Sequence, residues 1–254
     1  GSSDKLVFLK LYRPEDLAVY QIAFMLATLP TMALLKVGVR VVFPAYANVA
    51  QDINLESGGV NPDVAQRFQK VFSRVRTMLL LAGGFAVTGL IAAGPAMVQM
   101  LYPASYGYAA WKLQLLAAGA WLQIMAVGND SAMLALGKPK WIAASNGAKV
   151  LAMAIGIPIL HLQYGIGGSI AAIAGAEIAR YLVSVACAKR LPVSLHMLRR
   201  DALLTGLVVA ACFAAWEAGH LVARRGEIAQ FFVAAVTTVV IWGPLALWWK
   251  RRMN

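Results

Sequence analysis

Six ionisable residues interrupt long apolar runs of this sequence: Lys36, Arg40, Asp130, Lys149, Glu177 and Arg180. A charge at the centre of a bilayer costs roughly 2.5–3.5 kcal/mol on insertion scales, so it ordinarily faces protein or a watery cavity. Glu177 and Arg180 are three residues apart, which puts them within reach on one helix face. They read either as an internal ion pair that holds its helix in register or as a cavity-lining pair that exchanges partners. Lys149 is too deep in its run to extend easily to a surface, and Asp130 is placed to pair with it across helices. Lys36 and Arg40 are one turn apart. They read either as interfacial residues extending to water or as a cationic patch suited to a diphosphate, for which Arg offers paired donors and Lys a point charge. Lys112 and Glu217 fall nearer to run ends and are weaker candidates.

Little else in the chain offers chemistry. His161, His196 and His220 are far apart and lack metal-ligand spacing, and no Gly-rich phosphate loop ending in Lys-Ser/Thr is present. No cofactor, metal or enzymatic activity is expected. Cys187 and Cys212 both fall in apolar runs, as small core or lipid-facing residues rather than a disulfide.

The elements that position these charges follow from composition. Hydrophobic residues make up 60% of the chain and charged residues 13%, and the mean hydropathy is +0.67. Ordinary soluble domains are about 45–50% apolar and about 25% charged, so the solvent for these surfaces is lipid. Only helices and closed barrels satisfy every backbone amide there. The apolar stretches run about twenty residues without alternation, which selects helices. The net charge of +12 does not indicate nucleic acid, because the basic residues sit between apolar runs, as topology signals do.

The sequence predicts an all-α transmembrane bundle of about seven spans: 17–35, 77–101, 108–136, 141–162, 169–188, 202–223 and 228–249. A polar lead-in precedes the first span, which carries Pro30 and extends helically through Lys36 and Arg40 toward Pro44. Residues 51–62 form a loop. From about 62 to 76 an amphipathic helix carries Val64, Phe68, Val71, Phe72 and Val75 on one face and Arg67, Lys70 and Arg74 off it. Such a helix is expected to lie in the interface and meet anionic headgroups. Residues 102–107, 137–140 and 164–168 are turns. Trp141 beside Lys140, and Trp248 and Trp249 beside Lys250, are interfacial anchors. Arg67, Lys70, Arg74 and Arg76, Lys138 and Lys140, Lys189, Arg190, Arg199 and Arg200, and the C-terminal cations all fall on one side. Lys5, Lys10, Arg13, Arg224 and Arg225 fall on the other. The positive-inside rule puts the C-terminus in the cytoplasm and residue 1 outside, which requires an odd number of spans.

Several segments resemble the polysaccharide repeat-unit flippases of the multidrug/oligosaccharidyl-lipid/polysaccharide exporter superfamily. Leu17-Ala-Val-Tyr20 opens a helix that leads to Phe43-Pro44-Ala-Tyr-Ala47. Arg67-Phe68-Gln69-Lys70 follows, then Leu101-Tyr102-Pro103-Ala104-Ser105-Tyr106, then Ala135-Leu136-Gly137-Lys138. Their order and spacing cover most of residues 1–190, and residues 191–254 match only as two additional spans. The resemblance implies the C-terminal lobe of a two-lobed transporter of twelve to fourteen spans, so a chain beginning Gly1-Ser2-Ser3 is expected to be part of a longer protein. It implies a bacterial inner-membrane protein that moves an undecaprenyl-diphosphate-linked oligosaccharide by alternating access for exopolysaccharide, capsule or O-antigen synthesis. It implies coupling to a proton or sodium gradient, and a polysaccharide polymerase or glycosyltransferases as partners alongside membrane lipids. Two rivals accompany it: a peptidoglycan-precursor flippase or drug/cation antiporter of the same superfamily, and a non-transporting scaffold of a polysaccharide assembly complex. Among the six charges, cations outnumber acids, which favours an anionic cargo over a cationic one.

Overall fold

The computed structural model describes residues 14–51, 61–103, 106–191, 193, 198–222 and 226–253. The polar lead-in, most of the loop after Gln51, and Lys5, Lys10, Arg13, Arg224 and Arg225 lie outside the described residues. Among the described residues there is no strand. Helix α1 is Pro14–Val37, a single π-helical turn covers Gly38–Val42, and α2 is Phe43–Ala50. Then come α3 (Pro62–Leu101), α4 (Ala109–Ala135), α5 (Pro139–Ala188), α6 (Leu198–Val222) and α7 (Glu227–Met253).

Pro44 accounts for the π turn. It has no N–H to donate one turn back, and the ladder yields just before it: the Phe43 N–H donates to the Gly38 carbonyl. Helicity therefore continues through Lys36 and Arg40, as the sequence predicts. Gly137 ends α4. Its φ of +67° lets the Lys138 N–H reach back to the Met133 carbonyl at 2.8 Å, the bond that closes a helix C-terminus.

Among the described residues, six helices are long and apolar enough to span a bilayer. The longest, α5, has 50 residues and a non-helical glycine at its middle, Gly165 at φ +59° and ψ −141°. There the chain turns back on itself: Lys149 meets Glu177, and a Cβ on Gly156 would touch Ala172. The arms 139–164 and 166–188 are each about 35–40 Å long at 1.5 Å per residue, enough for the roughly 30 Å hydrocarbon layer. The described residues thus hold seven segments of crossing length, with the turn in the predicted Gly-rich stretch.

One expectation is corrected. The amphipathic segment and the second span are a single helix, α3, of 40 residues, about 60 Å long. Asn61 caps it, accepting from the Asp63 N–H at 3.0 Å, with Pro62 in the first turn, where its missing N–H costs nothing. No helix breaker separates the two parts. The apolar face also has a better partner than headgroups: Phe68 and Phe72 are buried against Tyr46 of α2, with ring centroids 5.7 and 5.6 Å apart. Met133, Leu136, Ala188 and Leu191 close the same cluster.

Helices α3 and α4 form the centre. Helices α1, α2 and α5 pack on α4, and α6 and α7 pack on α3 and on each other. Small residues set the spacing. A Cβ on Gly119 would lie 3.0 Å from the Ala174 backbone, and one on Gly83 would lie 2.6 Å from Ile124. Close backbone approach of this kind is how helices associate where lipid gives no hydrophobic drive.

Candidate functional site: a buried polar belt

Four of the six predicted charges meet. Helix α4 brings Asp130, the first arm of α5 brings Lys149, and the second arm brings Glu177 and Arg180. Arg180 Nη2 donates to Asp130 Oδ2 at 2.6 Å. Lys149 Nζ donates to Glu177 Oε1 at 2.5 Å, and Arg180 Nη1 stands 3.6 Å from Glu177 Oε2. The Glu177–Arg180 pair exists but is the longest contact of the set. The predicted Lys149–Asp130 pair is corrected: each takes another partner. The hairpin at Gly165 sets the register that brings Lys149 opposite Glu177, and Asp130 faces the second arm. Glu177 and Arg180 are 5% and 7% exposed, while the Lys149 side chain is 26% exposed.

A second group adjoins the first and was absent from the predicted site. Arg76 of α3 is 5% exposed and Asp201 of α6 is 3% exposed. Arg76 Nε and Nη2 donate to the two oxygens of Asp201 at 3.0 and 2.6 Å, the forked geometry in which Arg and carboxylate pair best. Arg76 Nη1 donates to Asn129 Oδ1 at 2.6 Å, and Asn129 Nδ2 donates to Ser184 Oγ at 3.2 Å. Tyr181 donates its hydroxyl to Asp201 Oδ2 at 2.5 Å. Gly128 makes room: a Cβ there would stand 3.0 Å from Arg76 Nη1. The sequence reading had Arg76 as a topology charge in a cytoplasmic segment. Its position in the stripe Phe68, Phe72, Arg76, Leu79, all buried, is the signal that identifies it.

Asn129 and Asp130 are neighbours on α4, and Arg180 and Tyr181 are neighbours on α5. The two groups therefore form one belt, from Asp201 through Arg76, Asn129, Asp130 and Arg180 to Glu177 and Lys149. It holds three cations and three carboxylates. The belt is therefore balanced and by itself gives no preference for anionic cargo; the excess of cations among the six predicted charges comes from Lys36 and Arg40, which lie outside it.

Lys36 and Arg40 do not join the belt. Both are exposed, Lys36 in the last turn of α1 and Arg40 in the π-helical turn, and neither pairs with a described acid. They do share its depth. A Cβ on Gly38, between them, would lie 2.8 Å from Val127 and 4.0 Å from Ser131, on either side of Asn129. Along α4, Asn129 is roughly 30 Å from the Ala109 end, and along α6 Asp201 is about as far from Val222. That is the thickness of a hydrocarbon layer. On these two helices the belt thus lies at one edge of the apolar slab rather than at its middle, while Lys149 and Glu177 reach deeper.

Lys112 is buried near the opposite end of α4, with its ammonium 6.0 Å from the Trp111 ring centroid. Glu217 is exposed on α6. Among the described residues no cluster of His, Cys, Asp and Glu has the makings of a metal site. No protein-family profile, no characterised protein and no solved structure matches the chain; it is a multi-pass helical membrane protein.

Proposed function

We propose that this protein handles a phosphate-bearing lipid-linked saccharide at a bacterial inner membrane, as a flippase or as the lobe of one, with its C-terminus in the cytoplasm. The observation that carries the reading is the outward face of α1. Lys36 and Arg40 stand one turn apart at the edge of the apolar slab. Met32, Leu29 and Met25 continue the same exposed stripe toward the other leaflet, as far as the polar Gln21. A cation pair above an apolar stripe complements a phosphate headgroup above a lipid tail. Arg40 offers paired donors and Lys36 a mobile charge. The π turn between α1 and α2 carries Arg40 itself, and such turns recur at functional sites. The order of family-like segments between Leu17 and Lys138 supports the same cargo, a polyprenyl-diphosphate-linked oligosaccharide. An ion gradient is the proposed drive, and polymerases or glycosyltransferases are the proposed partners.

The test is binding and translocation of a fluorescent lipid-diphosphate oligosaccharide by the reconstituted protein. Charge-assisted hydrogen bonds contribute about 1.5–3 kcal/mol each, so Lys36→Gln with Arg40→Gln is expected to weaken binding at least ten-fold. Unchanged binding would remove the site, and a chain that binds without translocating would point to the second reading.

That second reading is a non-transporting membrane scaffold of a polysaccharide assembly complex. The belt favours it, because Arg76, Asp201, Asn129 and Tyr181 satisfy one another and pin α3, α4, α5 and α6 together. The antiporter reading loses ground on the same observation, since every belt carboxylate already faces a cation.

A further inference from the structure

The outer face of α3 carries a second, independent lipid register. Arg67, Lys70 and Arg74 are all exposed, and Met78 and Phe85 follow on the same stripe with 49% and 44% exposure. The opposite face of this helix is sealed by Tyr46, Leu136 and the rest of the cluster around them, so the segment cannot lie flat on a membrane. It stands upright instead, continuous with its span. The three cations climb about 10 Å along the axis, and the apolar pair begins one turn below them. The interfacial layer of a bilayer is roughly 5–7 Å thick on each side. A lipid lying along α3 with its tail on Met78 and Phe85 therefore has its phosphate beside Arg74 and Lys70.

We infer that this ladder is a binding site for an anionic phospholipid of the leaflet next to the polar belt, distinct from the Lys36–Arg40 face. The occupant follows from the stripe itself. Three cations against the single Asp63, one turn before Arg67 at the helix start, leave the stripe net positive and select a negative headgroup, and the apolar continuation selects a species with an acyl chain. Basic clusters directly beside a transmembrane helix attract anionic leaflets by about five-fold in affinity per cation. A free oxyanion would use the cations and leave the apolar half of the register unused. The site depends on membrane embedding alone and stands whether or not the chain moves a saccharide.

Native mass spectrometry of the full chain, released from nanodiscs of phosphatidylcholine with phosphatidylglycerol, reads the retained lipid. The wild type is expected to keep phosphatidylglycerol in preference to phosphatidylcholine. R67Q/K70Q/R74Q is expected to lose that preference by about five-fold per cation, as K70Q alone should by about five-fold. R67K/R74K keeps the charge and is expected to keep the lipid, and it reports on folding. K138Q/K140Q removes two cations at the start of α5 and is expected to leave retention unchanged. Equal retention by the triple variant or by K70Q would overturn the inference. So would an equal loss in K138Q/K140Q, which would mean a diffuse charge effect. Displacement of the lipid by millimolar inorganic phosphate would overturn it as well, since the apolar half of the register would then contribute nothing.

Discussion

Arg76 and Asp201 form the best-made ion pair among the described residues, and removing one member exposes what it does. Deleting one partner leaves the other charged, buried and unpaired, which typically costs 3–5 kcal/mol. Asp201→Asn and Arg76→Gln are each expected to destabilise the detergent-solubilised protein by that order, read from its thermal or denaturant midpoint. The double variant should recover part of the loss, because two neutral amides can still bond to each other. A simple sum of the two single losses would mean that the pair is not coupled. Lys149→Gln should cost less, since its side chain is a quarter exposed and water screens the loss. The sequence revealed Lys149, Asp130, Glu177 and Arg180 because each breaks an apolar run. It did not reveal their pairing, because spacing along one helix says nothing about which residue a folded-back arm brings opposite. Arg76 was hidden by its company: it follows Arg67, Lys70 and Arg74 and shares their type but not their face. Asp201 was hidden by lying at the edge of a span, directly after Arg199 and Arg200.

Helix α3 shows how an element acquires two tasks. Its first half reads as amphipathic and its second half as a span, and composition changes near Thr77 without any residue that would break the backbone. The boundary in composition is therefore real, while the boundary in structure is not. Further along, α3 carries the α6–α7 pair. Thr88 Oγ1 accepts from Trp242 Nε1 at 3.3 Å, and the Trp242 ring lies where a methyl on Gly84 would be. Such a fit leaves no slack in a close-packed interior. Gly84→Val is expected to displace the indole and loosen α7, with overpacking costing about 1–3 kcal/mol. Trp242 fluorescence should shift and quench more readily, and limited proteolysis between α6 and α7 should speed up. If Gly84→Val left the emission and the cleavage rate unchanged, the α3–α7 contact would be wrong. The number of spans was legible because hydrophobic runs and Gly-rich turns mark it directly. The order of packing, with α3 and α4 innermost, was not, because all seven runs are similarly apolar.

At the scale of the whole molecule, the seven segments of crossing length among the described residues, each taken through the bilayer, fix which turns share a side. The turn at Gly137–Lys138 and the end of α5 at Lys189 belong with the polar belt and the upright start of α3. The tip of the α5 hairpin at Tyr164 and the turn at Gly226 belong to the opposite surface. Basic turn residues collect on the first of these surfaces, and that surface is cytoplasmic if lysine and arginine bias governs insertion. Single cysteines test the arrangement in a background with Cys187 and Cys212 replaced by Ala. A membrane-impermeant maleimide applied to right-side-out vesicles is expected to label Tyr164→Cys and Gly226→Cys, while Lys138→Cys and Lys189→Cys react only after the vesicles are opened. The hairpin is the sensitive part of this scheme. Were α5 one straight helix of 50 residues, it would be about 75 Å long, more than twice the hydrocarbon layer, and Lys149 could not meet Glu177. In that arrangement Lys138 and Lys189 would react from opposite sides, and the belt that joins four helices would come apart with them.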